Sequence, residues 1–176
     1  MIETLISSKT RIKLLLKFFL NSNATSYLRG LETEFGESTN AIRIELNRLE
    51  KAGMLDSFAS GNKKYFKANT MHPLYQDIHN LILKYTGLDR IMDTIIDNLG
   101  DLHKVFVTGK LAQGLNSDNI DLVFVGNINH AYLLDLIEKV QKHVTKKVSF
   151  TVLTEKQFIS SEWEVCHTDA LLLWKN

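Results

Sequence analysis

The chain has 176 residues, of which 44% are apolar and 23% are charged. This composition is typical of a folded globular protein and excludes general disorder and collagen-like repeats. The single cysteine, Cys166, excludes a disulfide scaffold, because it has no partner within the chain. The first residues lack the order of a signal peptide, and no apolar run approaches the ~20 residues of a membrane span. We therefore expect a cytoplasmic protein with no membrane partner.

The net charge of +1 conceals a mild asymmetry between the two parts of the chain. Residues 1–72 contain 11 Lys and Arg against 7 Asp and Glu, whereas residues 73–176 contain 10 against 13. A basic first part suits a polyanionic partner and an acidic second part does not. The difference is too small to identify a function by itself.

Three helices followed by a hairpin are predicted in the first part. Apolar residues that recur every three or four positions indicate the helices, and Ser, Gly and Asn between two short runs indicate the turn of the hairpin. The first helix covers residues 8–20. The second is capped by Thr25 or Ser26 and ends at Gly36, and the third extends from Ser38 to Ala52-Gly53. The strands cover residues 54–58 and 63–68.

The second part is predicted to begin with two helices and then to alternate strands with helices. Pro73 begins the first of these helices, and Gly87 separates it from the second. The strands are predicted at 104–108, 120–125, 147–153 and 170–174, and the later helices at 130–143 and 155–160. The overall fold class is therefore α+β.

The third helix has one apolar face and one polar face. Its apolar stripe consists of Ile42, Leu46 and Leu49, and Asn40, Arg43 and Asn47 share the opposite face. A helix fits the major groove of DNA, where Arg can bind guanine and Asn can bind adenine. Side chains near the N-terminal end of such a helix usually reach the bases. Lys63 and Lys64 at the hairpin are suited to phosphate contact.

The helices, the segment from Ser38 to Leu55 and the hairpin resemble the winged helix-turn-helix regulators of the ArsR and MarR type, over roughly residues 8–70. The resemblance implies sequence-specific binding of double-stranded DNA, normally as a homodimer. The DNA-binding residues that it implies are Ser38, Thr39, Asn40, Arg43, Asn47, Lys63 and Lys64. A winged helix that binds another protein instead of DNA is the alternative. Metal sensing is not expected, because metal-sensing ArsR proteins use paired cysteines.

A second motif covers residues 105–123. It resembles the minimal nucleotidyltransferase motif through five residues, Gly109, Ala112, Gly114, Asp121 and Leu122, and the resemblance extends over roughly residues 88–160. Nucleotidyl transfer uses divalent cations to hold a triphosphate, so it needs carboxylates that share one face of a strand. A glycine-rich turn supplies backbone N–H groups to phosphate.

The motif is incomplete at three positions. Lys110 stands where serine is expected, Asn119 replaces the first carboxylate, and residues 147–153 contain no Asp or Glu. We therefore predict that the chain is not an enzyme and has no metal site and no cofactor. Gly109, Lys110, Asn119 and Asp121 are candidates for a nucleotide-binding remnant. A purely structural or dimerising domain and an active nucleotidyltransferase that modifies a protein or nucleotide are the alternatives.

The sequence as a whole predicts a DNA-binding bacterial transcriptional regulator. Residues 1–72 form the winged helix, residues 73–99 form connecting helices, and residues 100–176 form the nucleotidyltransferase-like domain with a short mixed sheet. That last domain serves as a sensor for a nucleotide or small-molecule effector, as a dimerisation unit or as a partner platform. The apolar stripe of the helix after Pro73 is either core or the seam of a homodimer, and its members are Leu74, Ile78, Leu81, Ile82 and Tyr85.

Overall fold

A computed structural model describes residues 2–96, 99, 101–160 and 170–176. The fold is a mixture of helices and strands, as the sequence predicts, and it divides into two compact units, Met1–Tyr85 and Thr86–Asn176. Cys166, which is predicted to have no disulfide partner, lies outside the described residues. No helix within the described ranges combines the length and the apolar character that a bilayer span requires.

The first unit begins with four helices. They are α1 (Ile2–Leu5), α2 (Lys9–Leu15) with a π-helical turn at Leu16–Leu20, α3 (Leu28–Phe35) and α4 (Thr39–Lys51). The Ser38 hydroxyl caps α4 by accepting a hydrogen bond from the backbone N–H of Ala41, as predicted. Gly36 ends α3 in the left-handed conformation (φ 63°), which glycine adopts at little cost.

The predicted cap of α3 is wrong. Ser26 and Tyr27 form a two-residue strand, β1 (Ser26–Tyr27), instead of capping the helix, and the residue before α3 is Tyr27, which makes no side-chain capping bond. The backbone of β1 hydrogen-bonds to a distant strand, and that pairing fixes the extended conformation of both residues.

Three antiparallel strands form the sheet of the first unit. β2 (Leu55–Ser60) and β3 (Lys63–Ala68) make the predicted hairpin, and β1 pairs with the other edge of β3, giving the order β1-β3-β2. The turn consists of Gly61 and Asn62 alone, because β2 is longer than predicted. Helix α5 (Tyr75–Thr86) follows the sheet. The buried core includes Leu14, Phe18, Phe19, Leu31, Ile42, Leu46, Leu55 and Phe66.

The second unit has the predicted short mixed sheet. Its elements are α6 (Leu88–Ile96), β4 (Leu102–Thr108), α7 (Gly109–Ala112), β5 (Asn119–Gly126), α8 (His130–Gln141), β6 (Lys147–Leu153), α9 (Glu155–Ser160) and β7 (Leu171–Lys175). The strand order is β6-β5-β4-β7, with β4 antiparallel to both neighbours and β5 parallel to β6. Helix α8 makes the crossover that a parallel pair requires. Ile120, Leu122 and Phe124 of β5 are buried on one face of the sheet.

Candidate functional site

Helix α4 of the first unit separates apolar from polar residues as the sequence predicts. Ile42, Leu46 and Leu49 are buried in the core. The predicted DNA-binding residues Asn40, Arg43 and Asn47 are exposed, whereas Thr39 is half-buried and the Ser38 hydroxyl is engaged in the helix cap. The outer face of α4 therefore presents one guanidinium and two amides to solvent.

A groove of about 510 Å³ adjoins this face. It runs between the start of α3, helix α4 and the beginning of β3. That part of β3 precedes the two residues that pair with β1. Its lining residues are Tyr27, Leu28, Arg29, Arg43, Leu46, Asn47, Asn62, Lys63, Lys64 and Phe66. The structure thus brings four of the predicted DNA-binding residues together: Arg43, Asn47, Lys63 and Lys64.

The sequence analysis did not identify Tyr27 and Arg29 as part of this groove. Both lie where β1 passes into α3, and a two-residue strand is too short for alternation to reveal it. Residue type could have indicated them, because Tyr-Leu-Arg places an aromatic ring and a cation at the start of a short helix.

The two acidic residues of α4 differ in their effect on the groove. Glu45 is buried and binds Arg11 of α2, with its Oε2 atom 2.8 Å from Arg11 Nε, so it is turned toward the core. Burial raises the pKa of Glu45, but the hydrogen bond from Arg11 and the charge of Arg48 bring it below the ordinary value. Its charge is therefore compensated inside the fold.

Glu50 instead compensates one cation of the hairpin. Its Oε1 atom lies 2.7 Å from Lys64 Nζ, and its carboxylate also accepts a hydrogen bond from Ser57. The bonds from Lys64 and Ser57 lower the pKa of Glu50, so its carboxylate is ionised near neutral pH. Lys63 is placed differently, because its ammonium lies 4.2 Å from the centroid of the Tyr27 ring. Lys63 is thus better suited than Lys64 to contact a phosphate.

The second candidate site, in residues 86–176, is centred on Asp121. This residue of β5 is opposite Thr108 on β4 and Ser149 on β6. Ser149 Oγ donates a hydrogen bond of 2.5 Å to Asp121 Oδ1, and Thr108 Oγ1 donates one of 3.3 Å to the Asp121 carbonyl. A hydroxyl therefore occupies the place beside Asp121 on the neighbouring strand where the motif has its third carboxylate.

The Asp121 carboxylate lies against the turn at Gly109. Gly109 has φ 68°, and a Cβ atom added to it would lie 3.0 Å from Asp121 Oδ2. Both facts favour glycine at this position. Lys110 is exposed directly after it, and Asn119 is exposed two residues before Asp121, on the same face of β5. The four predicted nucleotide-binding residues Gly109, Lys110, Asn119 and Asp121 therefore lie at one end of β4 and β5.

The loop that leads into β5 is held in place by Lys146. Its Nζ atom donates hydrogen bonds to the Ser117 carbonyl and to Asn116 Oδ1, the second at 3.1 Å. Burial lowers the pKa of Lys146, although the charge of Asp118 acts in the opposite direction. Lys146 therefore fixes the approach to Asn119.

Carboxylates are scarce around Asp121. Nowhere in the described ranges do three side chains of the His, Cys, Asp or Glu type gather in a group that could hold a metal ion. A cage of three carboxylates is thus not formed by these residues. One or two protein carboxylates together with substrate phosphates can still hold Mg²⁺, so the chemistry of Asp121 fits a single ion that binds together with a nucleotide.

No protein-family model and no curated protein matches the chain. Solved structures that match include a mutant of the toxin–antitoxin MntA-HpeT (18% identity, TM-score 0.40, 51% of this chain and 72% of that chain). A Sulfolobus solfataricus protein with a suggested nucleotidyltransferase activity matches at 24% identity and TM-score 0.35, over 51% and 78% of the two chains. The Shewanella oneidensis tri-AMPylated HEPN toxin in complex with MNT antitoxin matches at 16% identity and TM-score 0.38, over 53% and 73%.

The prediction that the chain is not an enzyme is contradicted by this comparison. One of the structures reported above carries a suggested nucleotidyltransferase activity, and another contains a toxin that carries AMP groups. The prediction rested on counting carboxylates, and that count alone does not decide whether a site with Asp121 is active.

Proposed function

We propose that the first unit is a winged helix that binds double-stranded DNA. The observation that carries the proposal is the groove in which Arg43 and Asn47 of α4 lie beside Arg29 and Lys63. In this proposal α4 enters the major groove, where Arg43 can bind guanine and Asn47 can bind adenine. Lys63 contacts phosphate, and Lys64 contributes less because Glu50 compensates its charge.

Arg43→Ala tests the base contact. Loss of a bidentate arginine is expected to cost about 1–3 kcal/mol on a selected DNA site and to relax the base preference at one position. The measurement is fluorescence anisotropy with a duplex chosen from a random-sequence library. Lys51→Ala, at the exposed end of the same helix, is the control. Wild-type affinity of Arg43→Ala for that duplex would refute the proposed role of α4.

Lys63 and Lys64 should differ in the same assay. Lys63→Ala is expected to weaken binding to all sequences and to lower the slope of log K against log salt by about one unit. Lys64→Ala should change this slope less, because its ammonium is already paired with Glu50 in the free protein. Equal slopes for the two variants would show that the Glu50 pair does not persist on DNA.

Nucleotidyl transfer by the second unit is a second candidate function. It is supported by the Asp121 carboxylate, which lies against the glycine turn and accepts a hydrogen bond from Ser149. Asp121 would hold one Mg²⁺ together with nucleotide phosphates, and the ion would neutralise phosphate charge when bound. Lys110 supplies a further positive charge, and Gly109 allows close approach of the backbone. The reaction joins an acceptor oxygen to the α-phosphorus and releases pyrophosphate.

Incubation of the protein with α-labelled ATP, GTP, CTP or UTP and Mg²⁺ or Mn²⁺ tests this function. Label is expected to pass to protein, nucleic acid or a small acceptor, and Asp121→Asn should abolish the transfer. Asp118→Asn is the matched control, because Asp118 is exposed and lies one residue outside β5. Absence of transfer with all four nucleotides, or transfer that survives in Asp121→Asn, would refute it.

A further inference from the structure

Three aromatic side chains form a row across the sheet of the first unit. Tyr27 on β1 is opposite Tyr65 on β3, and Tyr65 is opposite Phe58 on β2, so all three lie on the same face. The ring centroids of Tyr27 and Tyr65 are 5.3 Å apart, and the stacked rings of Tyr65 and Phe58 are 5.6 Å apart. We call Tyr27, Phe58 and Tyr65 the aromatic row.

The aromatic row is open to solvent. Phe58 is 42% exposed, and Tyr27 and Tyr65 are half-buried. The other face of the sheet is where the core lies, since Leu55, Phe66 and Ala68 are buried there. Phe58 therefore leaves much of an aromatic ring in water on the face opposite the core.

Two lysines flank the aromatic row. Lys63 and Lys67 share a face with Tyr65 because side chains alternate along a strand. The Lys63 ammonium lies over the Tyr27 ring, and Lys67 is exposed. The acidic residue of this face is Asp56, which is opposite Lys67. Two cations against one anion give the face a positive balance.

We propose that the aromatic row, with Lys63 and Lys67, binds single-stranded DNA. Exposed aromatic rings on a sheet can stack on unpaired bases, and nearby cations bind the phosphates between those bases. Paired bases in a duplex do not offer their faces, so the ligand of the aromatic row has unpaired bases. This activity goes beyond duplex binding by α4, because Arg43 and Asn47 are not part of it.

The aromatic row also adjoins the groove beside α4. Tyr27 and Lys63 belong to the row and line that groove as well. A single strand that continues from a duplex in the groove would therefore pass from Lys63 onto Tyr27, Tyr65 and Phe58. Charge complementarity and the aromatic faces together favour a nucleic-acid strand over an apolar protein surface as the occupant.

Binding of two labelled 12-nucleotide strands to the full chain tests the proposal. One strand carries thymine at every position and the other is abasic, so the two have the same phosphates but only one has bases. Tighter binding of the thymine strand is expected. Equal affinity for the two strands would overturn the proposal, because phosphate contact alone would then explain the binding.

Substitutions at Phe58 separate stacking from apolar contact. Phe58→Leu keeps an apolar side chain and should weaken thymine-strand binding about 5- to 150-fold, the loss expected for one stacked base. Phe58→Trp should retain the binding. Tyr132→Leu is the matched control, because Tyr132 is an aromatic residue of α8 with the same 42% exposure. Equal effects of Phe58→Leu and Tyr132→Leu would overturn the proposal.

Two further variants keep the test decisive. Lys67→Gln changes an exposed side chain and should lower the salt slope for the thymine strand by about 0.7 while circular dichroism remains that of the wild type. An unchanged slope would count against the proposal. Arg43→Ala should lose duplex affinity and keep single-strand affinity, so failure of this proposal is distinguishable from failure of duplex binding.

Discussion

His103 of the second unit lies between two carboxylates. Its Nδ1 atom is 2.8 Å from Glu155 Oε1, and its Nε2 atom is 3.4 Å from Asp101 Oδ1. The hydrogen bond with Glu155 raises the pKa of His103, and the charges of Glu155 and Asp101 add to the effect. Because His103 is on β4 and Glu155 begins α9, the imidazolium links this helix to the sheet.

This link predicts a pH-dependent stability of the second unit. The pKa of His103 is higher in the folded than in the unfolded protein, so its contribution is fully present below about pH 6.5 and is lost as the pH rises through the folded pKa. His103→Gln should therefore unfold at a lower urea concentration than wild type at pH 5.5 and at the same concentration at pH 9. Tryptophan fluorescence reports this unit, because both tryptophans lie after residue 86. His143→Gln is the control, and an equal difference at both pH values would contradict the prediction.

At the scale of elements, Glu45 joins α2 to α4. It binds Arg11 of α2 at 2.8 Å and Arg48 of its own helix at 3.1 Å. Glu45→Gln should lower the free energy of unfolding by about 1.5–3 kcal/mol at pH 7, since hydrogen bonds to charged groups contribute about that much. Because the pKa of Glu45 is lowered, the difference should shrink as the pH falls below about 4. Urea unfolding followed by far-UV circular dichroism measures it, and a constant difference between pH 7 and pH 3 would contradict the assignment.

Elements with a long apolar period were predictable, and very short ones were not. The sequence predicts β6 with its observed bounds, because alternation extends over its seven residues. Strand β1 has two residues and depends on pairing with β3, which lies about 40 residues further along the chain. Helix α7 has four residues, too few for a period.

The same limit applies to the site in the second unit. Alternation places Asn119 and Asp121 on one face of β5, and the structure agrees. The contact between Ser149 and Asp121 depends on the register of β5 against β6. The register of two parallel strands is set by the crossover and by packing, so it cannot be predicted from residue spacing within either strand.

At the scale of the whole molecule, α5 presents a face that suits a second copy of the chain. Leu74, which precedes α5, is 49% exposed and Leu81 is 37% exposed, whereas Ile82 is buried, so the apolar stripe of this helix divides between surface and core. Regulators that read two half-sites do so through a two-fold axis. The homodimer is therefore a proposal that rests on Leu74 and Leu81.

Leu81→Glu tests the dimer. If the exposed part of the stripe pairs two copies, light scattering should give the dimer mass for wild type and the monomer mass for Leu81→Glu, because a carboxylate in an apolar interface is costly. Leu134→Glu, at a 49% exposed leucine of α8, is the matched control and should stay dimeric. A folded Leu81→Glu variant with the mass of wild type would exclude this seam.

The position of β7 has a consequence for synthesis of the protein. β7 pairs with β4 but follows it by roughly 60 residues. At about 5–20 residues per second, a ribosome needs several seconds to make that stretch. During this interval β4 can already pair with β5 while its other edge has open N–H and C=O groups, which can pair with another nascent chain. Slower translation after β4 is therefore expected to increase aggregation of newly made chains.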